Sequence, residues 1–379
     1  MRMGQNKQSV SWSADKIERG TAGELRIYHQ MLHLDENKRI ILISDIHGCR
    51  SLFHELLEKC HFNDQDILIL LGDLGEKGPD SLGVLHDVMD LCAAGNTYVV
   101  QGNCDCLVPS LMKQELTDFI GYTQFREASL LNEMAHLCGY AAVDETNAEA
   151  CRQAIAKQFA KELAFIENMP LILESESMLF VHAGLRHEEI SRNTWEDFLT
   201  LPAFAEGHKT FKKHVYCGHW PTLNYHMDIA DCRPYTNAAM NVTGIDGGNG
   251  VNDEGQLNAL ILDQGKSSSI GVDALPSALI CKAQAANPDP IFISWAKREV
   301  LLLQRQADQC YCEHLASKRK LWLPAAYLYE DEGKLCCHDY TDYRLNVKPG
   351  DTVKVITKHD GFVYAKHKDL VGWIAAECF

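Results

Sequence analysis

The chain has 379 residues, 46% of them hydrophobic, and a formal net charge of −16. A chain of this length can bury a sizeable core, and we expect it to divide into two or three domains. No run approaches the roughly eighteen uncharged apolar residues of a membrane span, and residues 1–11 lack the apolar core of a signal peptide, so we predict a cytoplasmic protein without membrane contact.

The distribution of cysteines and charges argues against two further classes, disulfide-rich proteins and nucleic-acid-binding proteins. Fifteen cysteines are scattered along the chain without paired zinc-finger spacing, which argues against a disulfide framework. Residues 276–379 hold 14 Lys/Arg and 13 Asp/Glu, whereas residues 1–275 hold 22 and 39. The acidic first part argues against nucleic acid as a partner, and we interpret the basic cluster at 318–320 as a solvated loop.

After an N-terminal extension, predicted for residues 1–37, short apolar runs alternate with helical periodicity. The apolar runs lie at 40–43, 67–71 and 98–100, and amphipathic stretches separate them. This order predicts a βαβαβ unit with buried neighbouring strands. The polar residues that follow each run are then at the carboxyl ends of strands, where open α/β sheets usually carry their sites.

Residues 106–170 are predicted to be a helical insertion, clearest at 148–166. The chain returns to strand at 178–181, and further strands are expected from Val215 and at 257–262. These elements complete a first domain at 38–265. The polar Gly-Lys-Ser-Ser-Ser segment that begins at Gly265 predicts a linker at 266–275.

The tail contains an internal repeat. Residues 300–328 and 353–379 share an apolar strand, a polar turn, a Tyr, and then Trp-Leu-Pro-Ala-Ala or Trp-Ile-Ala-Ala. A period near fifty with short strands resembles tandem bacterial SH3-like barrels, at 276–328 and 329–379. The resemblance implies a peptide as a possible partner. The alternative is a small β-sheet that only packs on the first domain.

Five polar fragments each follow an apolar run, and together they contain metal-ligand side chains. Asp45 and His47 are two residues apart at a strand end, so both can face one cation. Asp73 ends the next strand, and its carboxylate can bridge two ions. Asn103 offers an amide oxygen after the third strand. The remaining two fragments supply imidazoles, from His182 and His219.

This mixed oxygen and nitrogen set suits Mn, Fe or Zn better than a lone Mg. Two divalent ions about 3.5–4 Å apart would activate a bridging water and clamp an in-line displacement at phosphorus. The ligand set therefore predicts phosphoester hydrolysis as the reaction class.

The fragments resemble those of the calcineurin-like metallophosphoesterases. Within that family they are similar to the phosphoprotein phosphatase branch, which includes bacterial protein Ser/Thr phosphatases and symmetrical diadenosine tetraphosphatases. Residues 72–81, Gly-Asp-Leu-Gly-Glu-Lys-Gly-Pro-Asp-Ser, follow the family pattern Gly-Asp-x-x-Asp-Arg-Gly-Pro-Asp-Ser, and residues 181–185 and 217–222 match two histidine segments. The resemblance implies an α/β fold, a β-sandwich flanked by helices, with a small all-β region at the C-terminus.

The resemblance also implies how the ligands are shared between two metal ions. The first ion would take Asp45, His47 and Asp73. The second would take Asp73, Asn103, His182 and His219. His226 is a weaker candidate, because the Gly-His-x-His form of other branches would need a histidine at Pro221.

The residues expected to act in catalysis depart from the family pattern. Cys104 stands where the family has a histidine as general acid, followed by the acidic Asp105. A thiol holds a proton at neutral pH but is a weaker donor than imidazolium. Gly-Asn-Cys-Asp occurs in small phosphodiesterases of the superfamily, which shifts the expected substrate toward diesters. Glu76 takes the place of the family's second acidic residue.

The residues expected to bind the substrate phosphate are also altered. Lys77 and Gln101 stand where many members have arginine. Lysine cannot form the planar fork that holds two phosphate oxygens. Arg186 or Arg192 could compensate, although each is interpreted first as an ordinary surface arginine.

Two hypotheses follow for the function of the chain. The first is a dinuclear metal-dependent hydrolase whose substrate is a phosphoprotein or a small phosphoester, such as a dinucleoside polyphosphate or another phosphodiester. The alternative is a catalytically weakened metal-binding scaffold that acts through the SH3-like modules. Retention of all six ligands favours the hydrolase, because structural binding need not keep an open site for two ions.

Overall fold

The structure is a computed structural model that describes residues 28–35, 37–359 and 361–379. The polar segment at residues 1–11 and most of the predicted N-terminal extension lie outside this part of the chain. Among the described residues, no helix has both the length and the apolar character needed to cross a membrane.

Two β-sheets form the first part of the molecule. One has the strand order β1-β5-β6-β7-β10-β9, and the other has the order β12-β11-β2-β3-β4. Strands β2, β3 and β4 pair in parallel, as the βαβαβ pattern predicts. The strands of the two sheets are β1 (His29–Met31), β2 (Ile40–Ile43), β3 (Ile67–Leu70), β4 (Thr97–Val99), β5 (Ile172–Glu174), β6 (Met178–Val181), β7 (His214–Cys217), β9 (Tyr235–Asn237), β10 (Val242–Gly244), β11 (Leu257–Asp263) and β12 (Lys266–Val272). Strand β8 (Ala230–Asp231) lies between β7 and β9 in the chain but pairs in a sheet of the C-terminal region.

The two sheets pack face to face around an apolar core. Leu42 and Ile69 of one sheet and Leu173 and Phe180 of the other belong to this core, and all four are buried. Helices α1 (Arg50–Lys59) and α2 (Ser81–Ala94) cover the outer face of the sheet that contains β2. Because both faces of that sheet are covered, β2 is apolar at every position from Ile40 to Ile43. The result is a sandwich flanked by helices.

The predicted helical insertion consists of five helices. They are α3 (Asn103–Leu111), α4 (Leu116–Phe125), α5 (Leu130–Leu137), α6 (Ala148–Gln158) and α7 (Ala160–Glu167), and α8 (Trp195–Thr200) follows later in the chain. The continuous helix predicted at 148–166 is interrupted at Phe159, whose φ of −111° and ψ of 30° are not helical. The Phe159 side chain is buried in the core that also contains residues of α1 and α2. The helix is therefore interrupted at the point where this ring packs into the core.

Residues 266–272 of the segment predicted as a linker, 266–275, form the edge strand β12. It pairs antiparallel with β11 through a two-residue turn at Gln264 and Gly265, whose φ angles are 48° and 74°. Left-handed φ angles at both turn positions are typical of a tight hairpin. The serines that suggested a linker lie on an exposed edge, where polar side chains discourage pairing with other chains.

The C-terminal region is all β apart from short turns. Its strands are β13 (Ser277–Leu279), β14 (Phe292–Ile293), β15 (Val300–Arg305), β16 (Gln309–His314), β17 (Lys320–Pro324), β18 (Leu328–Asp331), β19 (Lys334–Cys337), β20 (Tyr340–Thr341), β21 (Thr352–His359), β22 (Phe362–His367) and β23 (Leu370–Ala375). One core runs from Ile291 to Cys337, and a second joins Ile280 to residues 343–378. Strand β13 of the predicted first repeat pairs with β21 of the second, and β8 extends the same sheet.

The two copies of the sequence repeat form equivalent meanders. Strands β15-β16-β17 and β21-β22-β23 each begin with a strand that contains a bulge, at Leu302/Gln304 and Val355/Thr357. In each copy a Trp of the last strand faces a Tyr of the middle strand. The ring centroids of Tyr311 and Trp322 are 5.3 Å apart, and those of Tyr364 and Trp373 are 4.9 Å apart.

The packing between the two sheets predicts the stability of a core variant. Phe180→Ala removes a fully buried ring, so we expect the free energy of unfolding to fall by about 3–5 kcal/mol. Phe362→Ala is the matched control, because that ring is 38% exposed, and its effect should be below about 1 kcal/mol. Urea unfolding followed by circular dichroism measures both; equal losses would contradict the assignment of Phe180 to the core.

Candidate metal centre

The candidate ligands meet where strands of both sheets end. Asp45 follows β2 and Asp73 follows β3, while Asn103 is the first residue of α3, shortly after β4. Because these three strands are parallel neighbours, their carboxyl ends share one edge. His182 follows β6 and His219 follows β7, and these two strands are parallel neighbours in the other sheet.

The backbone at this point is held in an uncommon conformation. Asp45, His47, Asp73 and His219 all have left-handed φ angles, between 50° and 66°. Such angles cost free energy in residues other than glycine and cluster at functional sites. Gly102 completes the approach of two loops, since a Cβ atom there would overlap the side chain and backbone nitrogen of Asp73.

Asp45, His47 and Asp73 form a buried group of three. The Nε2 atom of His47 lies 3.8 Å from a carboxylate oxygen of Asp45 and 3.8 Å from one of Asp73. The His47 Nδ1 atom is 3.3 Å from the Gly75 carbonyl oxygen, which directs Nε2 toward the carboxylates. Ser44 donates a hydrogen bond to Asp45, and the backbone N–H of His219 donates another at 3.0 Å.

Asn103 and His182 face each other at the centre. The Nδ1 atom of His182 lies 2.7 Å from the carbonyl oxygen of Leu71, which accepts its hydrogen bond. Its Nε2 atom is 2.9 Å from the Oδ1 atom of Asn103 and is 3.6 Å from Asp73. The Nε2 atom and the amide oxygen are therefore close enough to share one cation. The ring of His219 is 5.0 Å away, centroid to centroid.

Burial and mutual repulsion perturb the charges of this group. Burial, followed by the negative charge of Asp73, raises the pKa of Asp45. Burial also opposes ionisation of Asp73, but the neighbouring His182 and His47 hold its pKa below the usual range. Burial lowers the pKa of both His47 and His219 to about 3, so these rings are neutral and able to bind a metal.

The Lys77 ammonium already occupies the centre as a cation. Its Nζ atom is 2.9 Å from the Nε2 atom of His47, the atom that faces both carboxylates. Lys77 was predicted to bind substrate phosphate, and in this structure it contacts a candidate metal ligand instead. Its position identifies where the side chains favour positive charge.

The two residues after Asn103 differ in what they contact. The Cys104 backbone N–H donates to Asp73 at 2.8 Å, and its thiol shares a cluster of possible ligand atoms with His47 and Asp73. Burial, followed by the charge of Asp73, raises the pKa of this thiol well above its ordinary value. The Asp105 carboxylate accepts hydrogen bonds from the backbone N–H groups of Asp73, Leu74 and Gly102, at 2.8–2.9 Å. Asp105 therefore positions the loop that carries Asp73.

Glu76 connects the centre to the helical insertion. Its buried carboxylate accepts hydrogen bonds from the Tyr122 hydroxyl and from the backbone N–H of Leu130. Burial raises its pKa to about 7. The Nε atom of Arg126 lies 4.0 Å away and is a cation that sequence reasoning did not select. The position of Arg126 beside Glu76 follows from how the helical insertion packs in the folded protein, and no pattern in the sequence indicates it.

Three other predicted residues use their side chains elsewhere. The Gln101 amide donates to the carbonyl oxygen of Ile166 at 3.0 Å. Arg186 pairs with Asp197 at 2.6 Å, and its side chain is 63% exposed. The His226 ring packs edge-on against the ring of Tyr235. None of these contacts involves any of the six candidate ligands Asp45, His47, Asp73, Asn103, His182 and His219.

Sequence reasoning missed one buried carboxylate at the centre. Asp246 follows β10, and burial followed by the charge of Asp45 raises its pKa well above the ordinary range. Asn249, three residues later, donates to the Ile46 carbonyl oxygen at 2.9 Å and fixes the loop between Asp45 and His47. An acidic residue directly after a strand was the available signal, as at Asp45 and Asp73.

Residues 38–244 match the family model described as calcineurin-like phosphoesterase. The chain belongs to this family. The matched segment contains the six candidate ligands. Asp246 lies just beyond it.

Individual relatives match shorter parts of this phosphoesterase. It is 40% identical to the serine/threonine-protein phosphatase 1 of Salmonella typhimurium over 58 residues, 15% of this chain and 27% of that protein. It is 51% identical to the symmetrical bis(5′-nucleosyl)-tetraphosphatase of Buchnera aphidicola over 67 residues, 17% of this chain and 24% of that protein. The asymmetrical bis(5′-nucleosyl)-tetraphosphatase PrpE of Bacillus cereus is 27% identical over 164 residues, 40% of this chain and 59% of that protein.

The chain thus spans between about a quarter and three fifths of the length of these relatives. Among solved structures, a metallophosphoesterase from Sphaerobacter thermophilus has a TM-score of 0.36 at 16% identity, over 62% of this chain and 88% of that one. A likeness of this size adds nothing to the family assignment.

The side chains of the phosphoesterase fit a metal centre. Ligand atoms of Asp45, Asp73 and His182 lie within 4.8 Å of one another, as do those of His47, Asp73 and Cys104, so Asp73 is common to both groups. The approach of His182 Nε2 to Asn103 Oδ1 and the contact of the Lys77 ammonium with His47 both place cation-binding atoms at this point. Carboxylate, amide and imidazole donors suit divalent transition metals.

The contacts of Asp105 predict an indirect effect on metal binding. Asp105→Asn replaces an acceptor with an amide that must face backbone N–H groups, so we expect the affinity for Mn²⁺ to fall about 10–100-fold. The control is Asp87→Asn, because Asp87 pairs with Arg50 on the helices and should leave the affinity unchanged. Isothermal titration of Mn²⁺ measures both, and an unchanged affinity in Asp105→Asn would contradict its positioning role.

Proposed function

We propose that this protein is a metal-dependent phosphoester hydrolase. The observation that carries the proposal is the arrangement around Asp73, whose buried carboxylate lies between a group with Asp45 and a group with His47. Asp45, His47 and Asp73 would hold one ion, and Asp73, Asn103, His182 and His219 the other. Family membership and the phosphatase and tetraphosphatase relatives support the same reaction class.

Separate residues of the chain would hold the metal ligands in place and bind the substrate phosphate. Two bound divalent ions supply Lewis-acid charge at phosphorus and an activated water for in-line displacement. The Leu71 carbonyl oxygen and the Gly75 carbonyl oxygen hold the rings of His182 and His47 so that each Nε2 atom faces the ions. Lys77, whose Nζ atom lies beside His47, would contact the substrate phosphate, and Arg126 is a second cation beside Glu76.

The substrate class is proposed from the position after Asn103. Cys104 would stand beside the leaving oxygen and hold a proton toward it. A buried thiol is a weaker donor than imidazolium, which favours a leaving group that departs without a proton, such as the phosphate of a dinucleoside polyphosphate, over the alkoxide of a phosphoprotein. The phosphodiester alternative rests on the resemblance of Gly-Asn-Cys-Asp to small phosphodiesterases. The Gln101 side chain donates a hydrogen bond to the Ile166 carbonyl oxygen, and Arg186 forms an ion pair with Asp197. Their roles in binding the substrate phosphate therefore stay predictions.

The identity of the metals, the cellular location and the nature of the C-terminal modules are also proposals. We propose Mn, Fe or Zn as the metals, a cytoplasmic location, and SH3-like modules in the C-terminal region that can receive a peptide. The equivalent Tyr–Trp pairs of the two meanders support the repeat. The domain boundaries at 38–265, 276–328 and 329–379 stay predictions.

A second candidate function rests on the Lys77 ammonium. Since it lies 2.9 Å from His47 Nε2, the chain itself supplies a positive charge to the centre. A protein that keeps this arrangement would be a scaffold whose site is stable without metal and whose C-terminal modules bind the partner.

Hydrolysis assays with a matched variant separate these two functions. Mn-loaded protein is tested on a phosphomonoester, a phosphodiester, a phosphopeptide and diadenosine tetraphosphate. Asp73→Asn should lower kcat/KM by at least about 10³-fold, because the bridging carboxylate is lost, while Asp87→Asn should retain activity. Thermal unfolding of each variant controls for folding. Equal rates for wild type and Asp73→Asn on all four esters, together with no Mn²⁺ binding, would favour the scaffold.

The proposed place of Cys104 predicts a dependence on the leaving group. Cys104→Ala should lower kcat about 10²-fold for esters of aliphatic alcohols, which need a proton on the leaving oxygen. Esters of p-nitrophenol leave without that proton and should lose less than about threefold. The two rates are measured on the same protein preparation. An equal loss for both leaving groups would contradict a role for Cys104 beside the leaving oxygen.

A further inference from the structure

A cavity that is separate from the candidate metal centre lies between the phosphoesterase domain and the C-terminal region. It has a volume of about 1000 Å³, at the upper end of the range for small-molecule sites. Residues 251–254 form one wall, and the others are formed by residues 339–344, by the meander β21-β22-β23, and by Trp295, Pro324 and Tyr327. Its aromatic lining includes Trp295, Tyr327, Tyr340, Phe362, Tyr364 and Trp373.

Carboxylates supply most of the charge in this cavity. Asp253, Glu254, Asp339 and Asp342 line it, and Arg344 is the single Lys or Arg among the lining residues. Within the described part of the chain, none of the four carboxylates forms an ion pair with a Lys, Arg or His. Asp342 accepts a hydrogen bond from the backbone N–H of Ile291 at 2.8 Å, but this donor carries no net charge.

The cations close to the cavity are engaged by other groups. The Lys366 ammonium contacts Asp273 at 2.7 Å and the carbonyl oxygen of Glu254 at 3.0 Å. Arg298 pairs with Asp331, and the guanidinium of Arg344 lies over the ring of Phe362. Among the described residues, Lys366 and Arg298 therefore offset the charge of Glu254 and Asp339 only from a distance, and each forms its ion pair with a carboxylate that does not line the cavity.

Burial makes this excess charge costly. Burial raises the pKa of Glu254 to about 7, with Asp339 and Asp253 adding repulsion, and it raises the pKa of Asp339 to about 6. The buried Tyr364 hydroxyl has its pKa raised well above the ordinary value by burial and then by Glu254. A cationic ligand would stabilise carboxylates that line one cavity together with aromatic rings.

The cavity adjoins the metal centre through two connections. Trp220 directly follows the candidate ligand His219, and its ring centroid is 5.0 Å from that of Trp295 in the cavity wall. On the other side, a Cβ atom on Gly250 would lie 3.2 Å from the Cβ atom of His47, and the next residue, Val251, lines the cavity.

We infer that this cavity binds an organic cation, an ammonium or guanidinium group, and that this group belongs to the phosphoester substrate. Aromatic faces attract such cations, and carboxylates complement their charge, whereas a polyphosphate chain would be repelled. The binding part of this inference is independent of catalysis. The assignment to the substrate rests on the proposed function.

The binding test uses pairs of probes that differ only in charge. Acetyl-arginine amide is compared with the neutral acetyl-citrulline amide, and choline with 3,3-dimethylbutanol, by titration calorimetry on metal-free full-length protein. We expect saturable binding of a cation at least about tenfold tighter than its neutral partner. The pair with the larger ratio identifies the source as a peptide side chain or a small ammonium compound. Equal affinities within both pairs, or no saturable binding, would overturn the inference.

Variants locate the probe within the cavity. Asp339→Asn and Glu254→Gln each remove one charge at nearly constant shape, and each should weaken cation binding about tenfold. Glu330→Gln is the matched control, because Glu330 is exposed on β18 and does not line the cavity. Thermal unfolding verifies that all three variants fold. Unchanged affinity in both cavity variants would place the probe elsewhere and overturn the inference.

The substrate assignment is tested with two p-nitrophenyl diesters. One carries choline and the other 3,3-dimethylbutanol, which has the same shape without charge. The kcat/KM ratio of choline ester to neutral ester should exceed about ten, fall about tenfold in Asp339→Asn, and stay constant in Glu330→Gln. A ratio of one would overturn the assignment to the substrate. Hydrolysis of neither ester would count against the proposed function and leave the binding result to decide the cavity.

Discussion

The structure depends on the close approach of buried carboxylates and neutral imidazoles at the shared edge of two β-sheets. Asp45 and Asp73 are both buried, and each faces the Nε2 atom of His47 at 3.8 Å. Two such carboxylates repel each other, and the pKa of Asp45 is raised by burial and by the charge of Asp73. Positive charge at this point, from metal or from the Lys77 ammonium, would relieve this repulsion and keep both carboxylates ionised.

The surrounding elements satisfy this condition by fixing loops rather than by adding ligands. Asp105 binds three backbone N–H groups of the Asp73 and Gly102 loops, and Asn249 holds the loop between Asp45 and His47. Glu76 fastens the same region to the helical insertion through Tyr122. The strained φ angles of the ligand residues persist because these bonds determine them from several directions.

The C-terminal region contributes to a second acidic site, the aromatic cavity, which lies beside the candidate metal centre. The two sites differ in the side chains that surround their carboxylates. The metal centre gathers its carboxylates among imidazoles, whereas the neighbouring cavity gathers them among aromatic rings. Transition metals suit the first set of donors, and organic cations suit the second. The loop from Asp246 to Glu254 runs from one site to the other, so a ligand with a phosphate and a cationic group could contact both.

The sequence by itself determined the strands and the candidate ligands, because an apolar run that ends in Asp or His is a local pattern. It predicted β2, β3 and β4 and selected six candidate residues that the structure brings close to one another. Only the tertiary structure decided which polar residues share a site. Asp246 and Arg126 reach the centre from distant segments, the polar segment after Gln264 becomes an edge strand, and the aromatic cavity requires three parts of the chain to meet. Contacts between residues far apart in sequence leave no periodicity along the chain, so the pattern alone does not contain them.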